Sequence, residues 1–456
     1  MPILLKLVGP AWAVLEYGWY PLLVLVTTPY LFHSLGSMQY GMWMLLNATV
    51  SLGSVLSVGT STGTIKQISA SRGRASHKEL EHIIRSSLAM ALTAGILFTV
   101  IILAVFVLGG DAIFRRMGDS SVLSLTGVVA AVLVIIDQLD NALASALKGA
   151  EQFGRAARIE MVGKTIQVAA AVIAVILWES LIALYFSLMT VATIRLICKS
   201  WAIKSFLGLS SVRPCFNSLM AQFKFARWAW LQGAGGAFFG IADRMVIGAL
   251  LGATNLAHYS VSMQLAQQIH GLSAAALSVI FPAVSRKVSE NERFPLGNVT
   301  KMTMGVNFLA SGILAFGLMV CGRTILSMWL GEKEAEASTD VLWYLSIAYW
   351  LLAINVAPHF ILLGVGRMRF VALSNLTAGV ISFVTMFPLA RIYGLSGVAM
   401  SRIVYGALIL ANCLCLAEYL WRKPREITLE THEKLSPEGI CVPLPQRQAQ
   451  GYSFKN

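Results

Sequence analysis

The sequence predicts an all-α polytopic membrane protein with about 12 transmembrane helices, and three observations carry that reading. First, 57% of the 456 residues are hydrophobic and only 12% are charged, whereas soluble domains carry about 25% charged residues. Second, stretches such as 88–108, 122–136, 165–178 and 302–320 are almost uniformly apolar, and a helix of about 20 such residues covers ~30 Å of hydrocarbon. Third, lysine and arginine cluster in alternate connecting segments. A closed β-barrel would instead show ten-residue segments of alternating polarity, and none is present.

Hydropathy and charge breaks place the spans at 18–35, 39–63, 87–108, 122–147, 165–178, 181–203, 228–251, 256–281, 303–322, 341–363, 372–390 and 395–420. The fifth is short by itself, which puts the turn at Glu179-Ser180 inside the membrane interface. The first residues lack the short apolar run and small-residue ending of a cleaved leader, so the run beginning near Gly18 is expected to stay as the first helix. The six cysteines are scattered without a CxxC spacing and are read as unpaired filler thiols.

Orientation follows from the basic residues. With a cytoplasmic N-terminus, the inner segments would hold Lys66, Arg72, Arg74, Lys78 and Arg85, then Lys148, Arg155, Arg158 and Lys164. Lys199 and Lys204 would follow, with Arg213, Lys224 and Arg227. Later inner segments add Arg286, Lys287, Arg293, Lys301, Arg367 and Arg369. Only Arg115, Arg116, Arg323, Lys333 and Arg391 fall outside. Both termini are therefore expected in the cytoplasm, and the net charge of +13 serves orientation and anionic lipid headgroups rather than nucleic acid. Tyr17, Trp19, Tyr20, Trp43, Trp228 and Trp230 fit interfacial aromatic belts.

The chain also repeats itself. Leu35-Gly36 recurs as Leu251-Gly252, and the Leu147/Gly149 pair recurs as Leu362/Gly364. Each half then reads as six helices. An even number gives both halves one orientation, so they would be related by an axis along the membrane normal with a central cavity between them. The expected organisation is an N-terminal lobe at 1–204, a basic inner connector at 205–227, a second lobe at 228–421 and a disordered tail at 422–456.

The stretch Leu35-Gly36-Ser37-Met38-Gln39-Tyr40-Gly41-Met42-Trp43 resembles the LG-x-x-x-YG-x-W signature of Wzx-type oligosaccharide flippases. These belong to the multidrug/oligosaccharidyl-lipid/polysaccharide exporter superfamily. Asp243-Arg244, Leu251-Gly252, Ala257, Tyr259 and Phe281-Pro282-Ala283-Val284-Ser285 are similar in the second half. The resemblance implies two lobes working by alternating access in a bacterial inner membrane. It implies as cargo an oligosaccharide repeat unit on undecaprenyl pyrophosphate, and as partners membrane lipids, a polysaccharide polymerase and chain-length machinery. Peptidoglycan-precursor flippases of the superfamily usually carry two further helices, which argues against lipid II as the cargo.

Charges within helices give the candidate site. A charge at the bilayer centre costs about 2.5–3.5 kcal/mol on insertion scales, so it faces water or a partner. Arg244 sits in a row of glycines (Gly236, Gly240, Gly248, Gly252), which leaves room around a guanidinium suited to phosphate oxygens. The competing reading is a buried ion pair with glycines for close packing. Arg195 and Arg402 occupy corresponding helices of the two halves and would extend a cationic path or pair structurally. Asp137 and Asp140 share one helix face and, with Asp243, are candidates for H+ or Na+ coupling; the alternative for the first two is pairing with Arg195 or Arg244. Gln264, Gln267, Gln268 and His270 would form a sugar-contacting wall or ordinary inter-helix hydrogen bonds.

No phosphate loop, metal-ligand cluster or nucleophile constellation appears, so no cofactor or catalysis is expected. Three functions compete. A lipid-linked oligosaccharide flippase would have a cationic cavity. A drug/cation antiporter would need one dominated by carboxylates. A membrane polymerase or ligase would need a large outer loop, and the longest here runs only from about Arg323 to Asp340.

Overall fold

The computed structural model describes residues 2–71, 77–104, 120–207, 241–277, 280, 284, 296–365 and 367–421. The expected connector beyond Leu207 and the tail at 422–456 lie outside the described residues. In chain order the helices are α1 (Pro2–Ser71), α2 (His77–Leu103), α3 (Ser120–Gly149), α4 (Phe153–Trp178) and α5 (Leu181–Leu207). The second half comprises α6 (241–250), α7 (Ala253–Leu277), α8 (Leu296–Leu330), α9 (Glu332–Gly364), α10 (Met368–Ile409) and α11 (Ala411–Trp421). Among the described residues there is no strand.

Length and surface together make this a multi-pass membrane protein. Seven stretches among the described residues are long and apolar enough to cross a membrane. At ~1.5 Å per residue, the 70 residues of α1 are far longer than one crossing of a ~30 Å core. Gly36, at φ 70° and ψ 165°, breaks α1 into two arms; its positive φ is one that glycine adopts without steric cost. Gly394 breaks α10 in the same way. On α8, Met302, Val306, Leu309, Ile313, Phe316 and Val320 recur every three or four residues, and each is at least 60% exposed. Such a stripe on the outside of a helix fits contact with lipid and would aggregate in water.

The breaks at Gly36, Glu179-Ser180 and Gly394 fall where the sequence placed them. The fifth helix does not. It starts at Phe153 rather than near 165, because Arg155, Arg158, Glu160 and Lys164 lie in its first turns instead of in a loop. α1 likewise continues to Ser71, well past the expected end near 63.

Packing explains where a cavity can form. In the first half α1 packs against α2, α3 and α4, and α3 and α4 both pack on α5. In the second half α9 touches α7, α8, α10 and α11. Contact of α1 with α7 joins the halves. The largest apolar core is shared at that junction: Tyr40, Leu45 and Leu46 of α1 pack with Leu256, Tyr259 and Val261 of α7. Toward the other end the cores separate. One, with Ile68, Ile84, Leu147 and Ile203, belongs wholly to the first half. Another, with Val284, Ile361, Leu362 and Leu416, belongs wholly to the second. The halves are therefore welded at one end and parted at the other.

Candidate functional site

The weld rests on a backbone approach that only glycine permits. A Cβ on Gly41 would sit 1.9 Å from the carbonyl oxygen of Ala253 at the start of α7. Just beyond, Gln264 ties both arms of α1 to α7. Thr28 Oγ1 donates to Gln264 Oε1 at 2.7 Å, and Gln264 Nε2 donates to Tyr40 Oη at 3.0 Å.

Past this seal, between the halves, lies a cavity of about 670 Å³. Its wall includes Tyr20, Asn47 and Ser51 of α1, and Gln264, Gln267, Gln268 and Gly271 of α7. Its described charged lining is Lys148, Lys164 and Arg244, with no carboxylate. Arg244 is half-buried and, among the described residues, pairs with no carboxylate. Its Nε is buried without a hydrogen-bond partner, and Nη2 reaches only Met263 Sδ at 3.8 Å. A buried donor left unmade costs about 1–3 kcal/mol, which an incoming anion would recover. Lys164 is partly committed, to Glu160 Oε1 at 3.3 Å and to the face of Tyr20.

Asp243, next to Arg244 in the chain, turns away from the guanidinium, and its carboxylate is fully buried. Oδ2 accepts from Arg402 Nη2 at 2.7 Å, from Arg402 Nε at 3.1 Å, and from the Tyr259 hydroxyl. Oδ1 accepts the backbone N–H of Arg244 at 2.9 Å. Arg402 is therefore not in the cavity with Arg244. It lines a separate cavity inside the second half, and His270 lies there too.

Arg195 is the centre of a buried ion network in the first half. Its Nε stands 2.8 Å from Asp140 Oδ2, Nη2 3.3 Å from Asp137 Oδ1 and Nη1 3.5 Å from Glu160 Oε1. Lys199 bridges Asp140 Oδ2 at 2.8 Å and Glu160 Oε2 at 2.6 Å. Lys199 is fully buried, so the inner-loop placement the sequence suggested for it is corrected. Three carboxylates from α3 and α4 here neutralise Arg195 and Lys199 of α5 together with Lys164. Arg195, Asp137 and Glu160 reach a side cavity of about 250 Å³ that shares Tyr20, Trp43, Asn47 and Lys164 with the larger one.

The structure thus brings Arg244, Gln264, Gln267 and Gln268 to one cavity, and sends Arg195, with Asp137 and Asp140, and Arg402, with Asp243, into ion pairs. Glu160 is not singled out by the sequence, and Lys199 stands there as an inner-segment cation and not as part of a site. One signal was available: Lys199 follows Arg195 by one helical turn, and so shares its face.

Comparisons with known proteins follow the same lines. A protein of Shigella flexneri named as a candidate O-antigen transporter is 22% identical over 406 residues, covering 88% of this chain and 95% of that protein. A Haloferax volcanii protein named as the candidate low-salt glycan biosynthesis flippase Agl15 is 23% identical, over 46% of this chain and 44% of that protein. Among solved structures, lipid II flippase MurJ in an inward closed conformation matches with a TM-score of 0.71 at 12% identity, over 90% of this chain and 87% of that one. An inward-facing multidrug resistance MATE family transporter of the MOP superfamily matches with a TM-score of 0.67 at 14% identity, over 93% and 96%. These likenesses establish a shared fold. A family description matches residues 35–339, and the chain belongs to that family, Polysacc_synt_3, the polysaccharide biosynthesis proteins.

Proposed function

We propose that the chain is a flippase that moves an undecaprenyl-pyrophosphate-linked oligosaccharide repeat unit across the bacterial inner membrane by alternating access. One observation carries the proposal: the cavity between the halves has a described charged lining of cations alone, and the guanidinium of Arg244 in it lacks a carboxylate partner among the described residues. Charge-assisted hydrogen bonds from a planar guanidinium suit diphosphate oxygens. The amides of Gln267 and Gln268 suit sugar hydroxyls, and the volume lies in the range of ligand pockets, about 300–1,000 Å³. The O-antigen transporter and glycan flippase names of the relatives support the same cargo class.

On this reading there are twelve crossings in two six-helix lobes, at 1–204 and 228–421, with both termini in the cytoplasm. The mouth of the cavity then faces the cytoplasm, because Lys148, Arg155 and Arg158 adjoin Leu147, Ala156 and Ile159 of the core at the parted end. A polysaccharide polymerase and chain-length proteins would receive the cargo on the far side. A drug/cation antiporter is disfavoured, since the carboxylates Asp137, Asp140 and Glu160 are already paired with Arg195 and Lys199.

The test is Arg244→Ala against Arg244→Lys in cells whose surface polysaccharide depends on this protein. Alanine should abolish export at unchanged membrane protein level, and lysine should restore part of it. Full export by a stably inserted alanine variant would remove Arg244 from the site.

A further inference from the structure

The cavity inside the second half holds titratable groups that the cargo-binding reading leaves unused. It measures about 320 Å³ and is lined by α7, α9 and α10. His270 of α7 and His359 of α9 both face it, and neither imidazole is hydrogen-bonded to a described protein group. Asn355, only 5% exposed, and Asn375 also face it, and the Oδ1 of each is buried without a donor. Two imidazoles and two orphaned acceptors share this chamber; a buried acceptor without a partner bears a desolvation cost, which an imidazole N–H turned toward it would relieve, and protonation gives each ring a second such donor.

We infer that this chamber binds a proton on the His270–His359 pair and couples it to cargo binding at Arg244, an inference that rests on the flippase reading. The charged and titratable groups facing the pair are Arg402 and Tyr405 of α10 and Tyr349 of α9. Behind Arg402 stands Asp243 of α6; α1, α8 and α11 supply none of the described lining. A proton on either ring places a second positive charge in the chamber with Arg402, whose counter-ion is Asp243. The other oxygen of Asp243 holds the backbone N–H of Arg244. Hydrogen bonds therefore run from Arg402, in the chamber wall, through Asp243 to the backbone of Arg244, and a proton on either imidazole would act on that chain by its charge. The proton enters from water onto a ring nitrogen and leaves to water, with no covalent change. The carboxylates first considered for coupling, Asp137, Asp140 and Asp243, each have a cationic partner; the two imidazoles have none among the described residues. Linkage is reciprocal, so cargo must shift proton affinity by the factor that protons shift cargo affinity, about 5–150-fold for typical couplings.

The experiment uses the full chain in proteoliposomes with a trapped pH dye and a short polyprenyl diphosphate as probe. An imposed pH gradient should drive proton movement that rises with the probe. His270→Gln or His359→Gln should reduce it, and the double variant should bring it to the level of protein-free liposomes while still binding the probe. Proton movement unchanged in the double variant, or probe transport driven by a sodium gradient alone, overturns the inference. Should the double variant fail to fold, nitrogen-15 histidine spectra of the unaltered protein in nanodiscs decide. Midpoints for the two rings that move on adding the probe support coupling, and unmoved midpoints sink it. Arg244→Ala separates the two ideas: dispensable histidines with an essential Arg244 end only the proton site, and a dispensable Arg244 ends the flippase reading beneath it.

Discussion

Replacing Gly41 by alanine puts one methyl group where the weld between the halves allows none. The added Cβ would lie 1.9 Å from Ala253 O and 2.5 Å from its carbonyl carbon. An ordinary carbon–oxygen approach is about 3.3 Å, so α1 and α7 must move apart by about 1.4 Å there. The obstructing atoms are backbone, and no rotamer change relieves them. Overpacking of this kind costs about 1–3 kcal/mol, and only in conformations that keep the weld closed. The equilibrium between sealed and unsealed forms should therefore shift by about 5–150-fold. The assay places a cysteine at Gln267, which is exposed and lines the cavity, in a cysteine-free background. A membrane-impermeant thiol reagent is then added to intact cells. Labelling should rise about 5-fold or more in Gly41→Ala and stay at the parental rate in Gly154→Ala, whose added Cβ meets nothing within 4 Å. Parental labelling and export in Gly41→Ala would refute the idea that this contact closes the far side.

The ion network and the glutamine bridge give two further expectations. Lys199→Ala leaves fully buried Asp140 with Arg195 as its one remaining cation among the described residues, while Glu160 keeps Arg195 and Lys164; breaking a buried pair costs about 3–5 kcal/mol, so the variant should accumulate less in the membrane and melt earlier once solubilised. Lys199→Ala with parental melting would show the cluster to be hydrated. For Thr28→Val and Gln264→Leu, a double-mutant cycle on thermal stability should give a coupling of about 0.6 kcal/mol, and additive effects would mean that the bond does not persist in the membrane.

Much of this molecule could be read from its residues, for identifiable reasons. Uniformly apolar stretches and the polar breaks at Gly36 and Gly394 are local signals, so helical class and kink positions came directly from the chain. Burial inverted the meaning of charge around 153–164. Arg155, Glu160 and Lys164 resemble a loop in sequence, yet they belong to α4 because α5 brings cations to meet its carboxylate. The pairing of Asp137 and Asp140 with Arg195 stood among the alternatives from charge and face alone. That Arg195 takes them, and Arg244 takes no described carboxylate, depends on which helices adjoin, and α5 adjoins α3. The partner of Asp243 was out of reach for the same reason: Arg402 arrives from a helix more than a hundred residues away. Gly41 stood out only as a motif residue, and the reason for it was out of reach, since its constraint is a carbonyl in the opposite half.

The six-membered ion network of the first half has an electrical consequence. Asp137, Asp140 and Glu160 match Lys164, Arg195 and Lys199 in number, and they travel as one rigid body if that half tilts. A voltage of 100 mV does about 2.3 kcal/mol of work per elementary charge carried across the membrane, and a block whose charges sum to zero takes almost none of it. Rocking of that lobe should be nearly blind to the membrane potential, which leaves Arg244 and whatever anion it holds to feel the field.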